Sequence, residues 1–189
     1  NYNRLFADPV FVKSTINTVV FVVFIVALTV IFALFVSSAI FDKNAIYVSF
    51  IRGSYYIPVR VSMVVMSMVW SFLLNPANGL IPYAARQLEL SSVNFLGDTN
   101  LVLPVIIFVT FATNVGSAII LYVASMIGVP KDVFEAAEID GASRLEIIFK
   151  ILIPMVKPTT IYIIIMNIIA VLKIFVVIQL LTGGGPNNA

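Results

Sequence analysis

The chain has 189 residues, 61% of them apolar and 11% charged, with a formal net charge of +2. Soluble domains run at about 45–50% apolar and about 25% charged, so water is not the main solvent here, and so small a charge gives no hold on nucleic acid. There is no cysteine and no histidine, which excludes disulfides, thiol and imidazole catalysis, and Cys/His metal sites.

Four stretches carry almost no charge: 15–40, 61–85, 101–130 and 158–189, the last interrupted only by Lys173. A bilayer core takes about 20 apolar residues as a helix, and a helix satisfies its own backbone where lipid offers no partner. The expectation is an all-α, polytopic membrane helix bundle. Its four transmembrane helices fall near 15–40, 55–75, 101–127 and 158–181. The loop 75–100 has turn signals at Asn75-Pro76 and Asn78-Gly79, and 82–90 is expected as a short interfacial helix. Lys and Arg set the orientation. Lys43 and Arg52 in 41–56, with Lys131, Arg144, Lys150 and Lys157 in 128–157, outweigh Arg4, Lys13 and Arg86. Loops 41–56 and 128–157 are therefore expected to be cytoplasmic, with 75–100 and both visible termini external.

Arg60 lies eight residues past Arg52, about 12 Å along a helix. A cation inside the bilayer is normally paired or faces water, and no acid lies in any span. Two readings follow: Arg60 meets a carboxylate, sulfate or phosphate on a cargo, or it snorkels to the interface. On the third span Thr110, Thr113, Asn114 and Ser117 recur at i, i+3, i+4, i+7 and share a face. Hydroxyls and amides both donate and accept, which suits sugar hydroxyls. Such residues also serve helix packing. Both readings stand for Thr113 and Ser117, and for Asn114 the functional one is preferred.

Nine of the 20 charged side chains crowd into 131–157. Pro130 suits the first turn of a helix, and acids near the start of 131–139 suit its dipole. Gly141 can stop that helix in a left-handed conformation. Ser143 and Glu146 form a capping box for a second helix. Leu145, Ile148, Phe149 and Leu152 would make one apolar face, and Pro154 would break the run. Two short helices joined by a Gly turn are expected. Glu135, Glu138 and Asp140 around Phe134 and Ala137 make a polar rim about an apolar centre, the anatomy of a docking knob. A solvated loop fits the same spacing equally well.

Glu135, Ala136, Ala137, Gly141, Ile151 and Pro154, in EAAEIDGASRLEIIFKILIP, resemble the "EAA…G…I-LP" loop of permease subunits of ATP-binding-cassette importers. Ile153 stands where that family usually has Leu. LTGGGPNNA (181–189), FLLNPANGL (72–80) and NFLGDTNLVLP (94–104) resemble its sugar-importing branch, and the likeness covers essentially the whole chain.

The resemblance implies one permease domain over 1–189, with 130–154 as the coupling loop. Its motif residues would contact an ATPase dimer, with Glu135, Ala136, Ala137 and Gly141 at the seat. It implies a second permease subunit in a heterodimer, an extracytoplasmic solute-binding protein, and a multi-pass place in a prokaryotic cytoplasmic membrane. Matching positions put Thr110, Asn114, Ser117 and Asn167 at the solute path, with apolar Val171 and Ile174 where maltose-type proteins have amides. Family members commonly have six spans, so one helix before Asn1 and one after Ala189 are expected. No G-x-x-x-x-G-K-[ST] phosphate loop occurs, so ATP would be bound by the partner and this chain would hold no cofactor. With no His, no Cys and no acid in a span, an intramembrane enzyme has nothing to be built from. The expected function is half of the pathway of an ATP-driven sugar importer. The alternatives are an importer of a sugar acid, glycerol phosphate or peptide, and a passive channel or scaffold.

Overall fold

The computed structural model describes residues 2–88 and 94–185, and among these all regular structure is helical. Helix α1 (Tyr2–Ala7) precedes α2 (Pro9–Ile40). Asp8 starts α2 by accepting the Val10 N–H at 2.9 Å, and Pro9 takes the first helical position, where a missing N–H costs nothing. At 32 residues α2 exceeds the bilayer core in length. Asn44 starts α3 (Ala45–Arg60) in the same way, accepting the Ile46 N–H at 3.0 Å.

The expected second span over 55–75 is not one helix. Helix α3 ends at Arg60 and α4 runs Met63–Leu73. Pro58 cannot bond the Ser54 carbonyl and crowds that turn, and α3 stops two residues later. In the connection that follows, Asn75 Oδ1 accepts the Ala77 and Asn78 N–H groups at 2.9 and 3.3 Å. Helix α5 (Leu80–Gln87) comes next, and Arg86 ties it back to the Pro76 and Ala77 carbonyls at 3.1 and 3.2 Å. Residues 89 and 90 of the helix expected there lie outside the described residues. The Asp98 carbonyl accepts the Val102 N–H at 2.9 Å and opens α6 (Val102–Ile127), within a residue of the expected third span.

Two short helices joined by a glycine follow, as the spacing implies. Helix α7 is Lys131–Ile139. It ends with Gly141 at φ +79°; the Gly141 N–H donates to the Glu138 carbonyl at 3.0 Å and the Ala142 N–H to that of Ala137 at 2.9 Å. That pairing satisfies the last carbonyls and needs a left-handed residue. A Cβ at Gly141 would meet open space, so Gly141→Ala carries the conformational penalty alone, about 1–2 kcal/mol. The expected result is faster hydrogen exchange at the Ala142 amide, with Gly141→Asn closer to wild type.

Helix α8 (Arg144–Met155) opens on the expected capping box: Ser143 Oγ accepts the Glu146 N–H at 3.4 Å, and Glu146 Oε2 accepts the Ser143 N–H at 3.0 Å. The Lys150 ammonium and Ser143 hold the Glu146 carboxyl at about 2, below its ordinary 4.5. The box therefore contributes in full above that ordinary value and is lost only as pH falls through about 2.

Pro154 closes α8 as expected: the helix ends at Met155, one residue later. The expected apolar face needs correction. Residues Ile147–Leu152 form a π-helix, with the Ile153 N–H reaching back five residues to the Ile148 carbonyl. This wider ladder leads up to a proline that cannot donate to Lys150. The same widening shifts the phase of the apolar face. Ile147 and Leu152, five apart, are buried, while Leu145 and Phe149 are each 65% exposed. The chain then turns by 63° into α9 (Lys157–Leu172). The expected fourth span over 158–181 is also interrupted: tight i→i−3 bonds at Lys173 and Ile174 separate α9 from α10 (Phe175–Thr182). By length and composition α2 and α6 can each cross a bilayer, and the broken pairs α3–α4 and α8–α9 raise the number to four if each is one span.

The chain forms two compact units. One gathers Asn1–Ile25, Val61–Thr113 and Ile168–Ala189. There α4 packs along α10, and Phe21, Ile25, Leu74, Val102, Ile106, Val171, Ile174 and Leu181 share a core. The other gathers Val26–Arg60 and Asn114–Asn167. Here Thr29, Ala33 and Ser37 of α2 are all but fully buried, and the Ser37 hydroxyl donates to the Ile119 carbonyl of α6 at 3.3 Å. Small residues are what let membrane helices approach so closely. Tyr122–Thr160 and Thr159–Ser125 hydrogen bonds, at 3.1 and 2.8 Å, tie α6 to α9.

Candidate functional site

The expected docking knob is an exposed helix on a braced base. Helix α7 buries none of its residues. Glu135, Ala136, Glu138 and Gly141 are exposed and Ala137 is half-buried. Ile151 is half-buried in α8, and Pro154 is exposed near its end. Two contacts fix the knob to the end of α2. Arg144 donates to Asp42 at 2.9 Å and to the Ala39 carbonyl at 3.2 Å. Phe134 lies against Phe41 with ring centroids 5.6 Å apart. Beneath lies a cavity of about 490 Å³ between Phe41, Met126, Val129, Phe134, Glu138 and Arg144.

This changes the reading of the knob's apolar centre. Phe134 is spent on holding α7 in place, and the apolar side chain offered outward is Ile139, 85% exposed, beside Ala136. Pattern reading missed Ile139 because it sits at the end of the helix, where it counts as filler. It missed the Arg144–Asp42 clamp because the partners lie 102 residues apart.

The expected solute-path residues are less gathered. On α6, Thr110 and Thr113 are buried, Asn114 is half-buried and Ser117 exposed. Thr113 donates to the Val109 carbonyl at 2.7 Å and Ser117 to that of Asn114 at 2.8 Å. On α9, Asn167 Nδ2 donates to the Ile163 carbonyl at 2.8 Å. The two hydroxyl protons are spent on their own helix, while Asn167 keeps a second N–H and its Oδ1. Arg60 is exposed at the C-terminal end of α3, with its guanidinium 4.5 Å from the centre of the Tyr56 ring, a cation–π stack. Gly116, which sequence reading passed over, sits where α6 touches α3: a Cβ there would run into the Tyr55 carbonyl. Its signal was available, since Ala112 and Gly116 are a small-x-x-x-small pair.

Residues 10–188 match the family described as "binding-protein-dependent transport system inner membrane component". The chain belongs to that family. Among relatives of this inner membrane component, the "probable ABC transporter permease protein YurN" of Bacillus subtilis is 31% identical over 192 residues, covering all of this chain and 66% of the relative. The "trehalose/maltose transport system permease protein MalF" of Thermococcus litoralis is 31% identical over 193 residues, covering 64% of the relative. The "sn-glycerol-3-phosphate transport system permease protein UgpA" of Brucella abortus is 30% identical over 190 residues, again covering 64%. These relatives are transport permeases, not enzymes. A chain in the crystal structure of a bacterial alginate ABC transporter superposes with a TM-score of 0.87 at 22% identity, over 96% of this chain and 64% of that one, which establishes the fold. The chain spans no more than about two thirds of the length of the curated relatives it matches.

Proposed function

We propose that this inner membrane component forms half of the translocation path of an ATP-driven importer in a prokaryotic cytoplasmic membrane, for a carbohydrate or a sugar-phosphate-like solute. The observation that carries this reading is the family match over 10–188, together with relatives named for trehalose and maltose and for sn-glycerol-3-phosphate. These 189 residues hold no phosphate loop, and the energy comes from an ATPase dimer. Helix α7 is its seat: Glu135, Ala136, Ala137 and Gly141 enter a cleft of the ATPase, and Ile151 and Pro154 set the path of α8 behind them. Nucleotide binding closes the ATPase dimer, the braced knob transmits that movement, and the bundle switches between inward-open and outward-open states as rigid parts. A second permease completes the path, and an external binding protein delivers the solute to it, docking near 75–100 and 183–188. Of these stretches, 89–93 and 186–188 lie outside the described residues. Thr110, Asn114, Ser117 and Asn167 line the solute path.

The deciding experiment is ATP-dependent uptake in proteoliposomes holding the complete transporter. Uptake that runs without nucleotide would remove the pump reading and leave the passive channel.

Arg60 favours a second, finer reading, that the cargo is anionic. Its guanidinium rests on an aromatic face rather than on a carboxylate, which leaves its charge available to a solute. Arg60→Gln is expected to lower uptake of glycerol 3-phosphate at least roughly ten-fold, the worth of one charge-assisted hydrogen bond, and to leave glycerol or maltose uptake unchanged. Equal loss for charged and neutral solutes would return Arg60 to an interfacial role.

A further inference from the structure

Near its N-terminal end α2 turns three polar side chains toward the C-terminal part of the chain. Ser14, Asn17 and Thr18, at i, i+3 and i+4, line a cavity of about 330 Å³ whose other walls include Phe21, Val171, Ile174 and Phe175, with Gly184 at its edge. None of these three polar residues belongs to the polar face of α6 or to α7.

Three observations favour a binding site over a packing gap. Its volume falls at the lower end of the roughly 300–1,000 Å³ of small-molecule sites, and apolar walls with a few placed polar groups are the composition such sites have. Its floor is fixed, because Phe21, Val171 and Ile174 belong to the buried core; sites carried on packed helices hold their geometry better than sites on loops. And its polar side is not used up internally. Among the described residues the Asn17 carboxamide has no hydrogen-bond partner, although Asn17 is half-buried, whereas Thr18 donates to the Ser14 carbonyl at 2.8 Å. The Asn17 amide is not sealed from the cavity, so two donors and two lone pairs are left for a ligand.

We propose that this cavity binds one hydroxyl-bearing ring of a neutral solute, a single sugar unit, with Asn17 as the residue that fixes its orientation. Asn17 gives one hydrogen bond and accepts another with adjacent hydroxyls, from two separate atoms of one planar amide. The Ser14 hydroxyl takes a third. Phe21 and Phe175 cover the ring's C–H edges. No charged side chain lines the cavity, so it selects hydroxyls over anionic groups. The site rests on the importer reading, and it would be a stopping point distinct from the α6 positions.

The natural absence of cysteine from these residues makes the test direct. Asn17→Cys, and Ser14→Cys as the near-isosteric second variant, are introduced into the complete transporter in proteoliposomes and alkylated with a maleimide, with the modified site read by mass spectrometry. Ile16→Cys, exposed on the same turn and outside the cavity, is the control. Glucose, maltose or N-acetylglucosamine at roughly 10 mM, saturating for a site of millimolar affinity, is expected to slow labelling at 17 or 14 at least roughly five-fold and to leave position 16 unchanged. Asn17→Ala is expected to raise the KM of the protecting sugar roughly ten-fold. No protection by any of the three, or protection of position 16 as well, overturns the site. Uptake without protection removes the cavity and leaves the importer standing; protection without ATP-dependent uptake does the reverse.

Discussion

Replacing Glu135 by lysine is expected to strip the ATPase from the purified transporter while leaving this chain folded. Helix α7 buries none of its side chains and Glu135 is exposed. Its charge therefore has no internal duty, and reversing it should leave the thermal melt within error of wild type. Opposite a cationic cleft, the complement of the acidic rim of α7, the same reversal places like charges together, a penalty of several kcal/mol. Taken as about 2 kcal/mol, it weakens association roughly thirty-fold. Co-purification of the ATPase and ATP-dependent uptake should fall together. Equal ATPase recovery in both preparations, measured at matched protein concentration, would remove α7 as the seat. Ile139→Ser offers a second view of the same surface: at 85% exposure it too should leave the melt unchanged while loosening the partner.

The second large effect is at Gly116. A Cβ at this position meets the Tyr55 carbonyl and lies 3.2 Å from a Val59 methyl. Two of those three nearest atoms are backbone, which cannot rotate out of the way as a side-chain tip can. Tyr55 is itself held, edge to face against Phe32 at 6.1 Å. Gly116→Val must therefore push α3 off α6, and overpacking of this kind costs about 1–3 kcal/mol and at times more. The expected result is a lower melting temperature of the detergent-solubilised transporter and a smaller monodisperse fraction. Gly116→Ala should fall between Gly116→Val and wild type. A Gly116→Val protein as stable as wild type would mean that α3 and α6 do not touch at Tyr55. The two predictions are complementary, since Glu135→Lys should abolish partnership with the fold intact and Gly116→Val should damage the fold itself.

Much of this molecule was legible in its residues. Charge-free runs near the length of a bilayer crossing name the helices α2 and α6, because hydrogen bonding within a helix is local and hydrophobicity is a sum. Gly141, Ser143 and Glu146 name the turn and the cap within 130–154 for the same reason: their partners lie within five residues. What pattern alone could not decide is where a run of apolar residues stops being one helix. Pro58 and Pro154 each close a helix within two residues, but α8 reaches its proline through a π-turn that no spacing rule announces. Nor does periodicity reveal that Phe134 is used up against Phe41, that Arg144 reaches Asp42, or that Asn17 faces residues more than 150 positions away. Composition and short-range spacing determined the solvent, the helices and the knob; only the tertiary structure decided which side chains brace it and which remain free, because those outcomes rest on contacts between distant segments that no local pattern encodes.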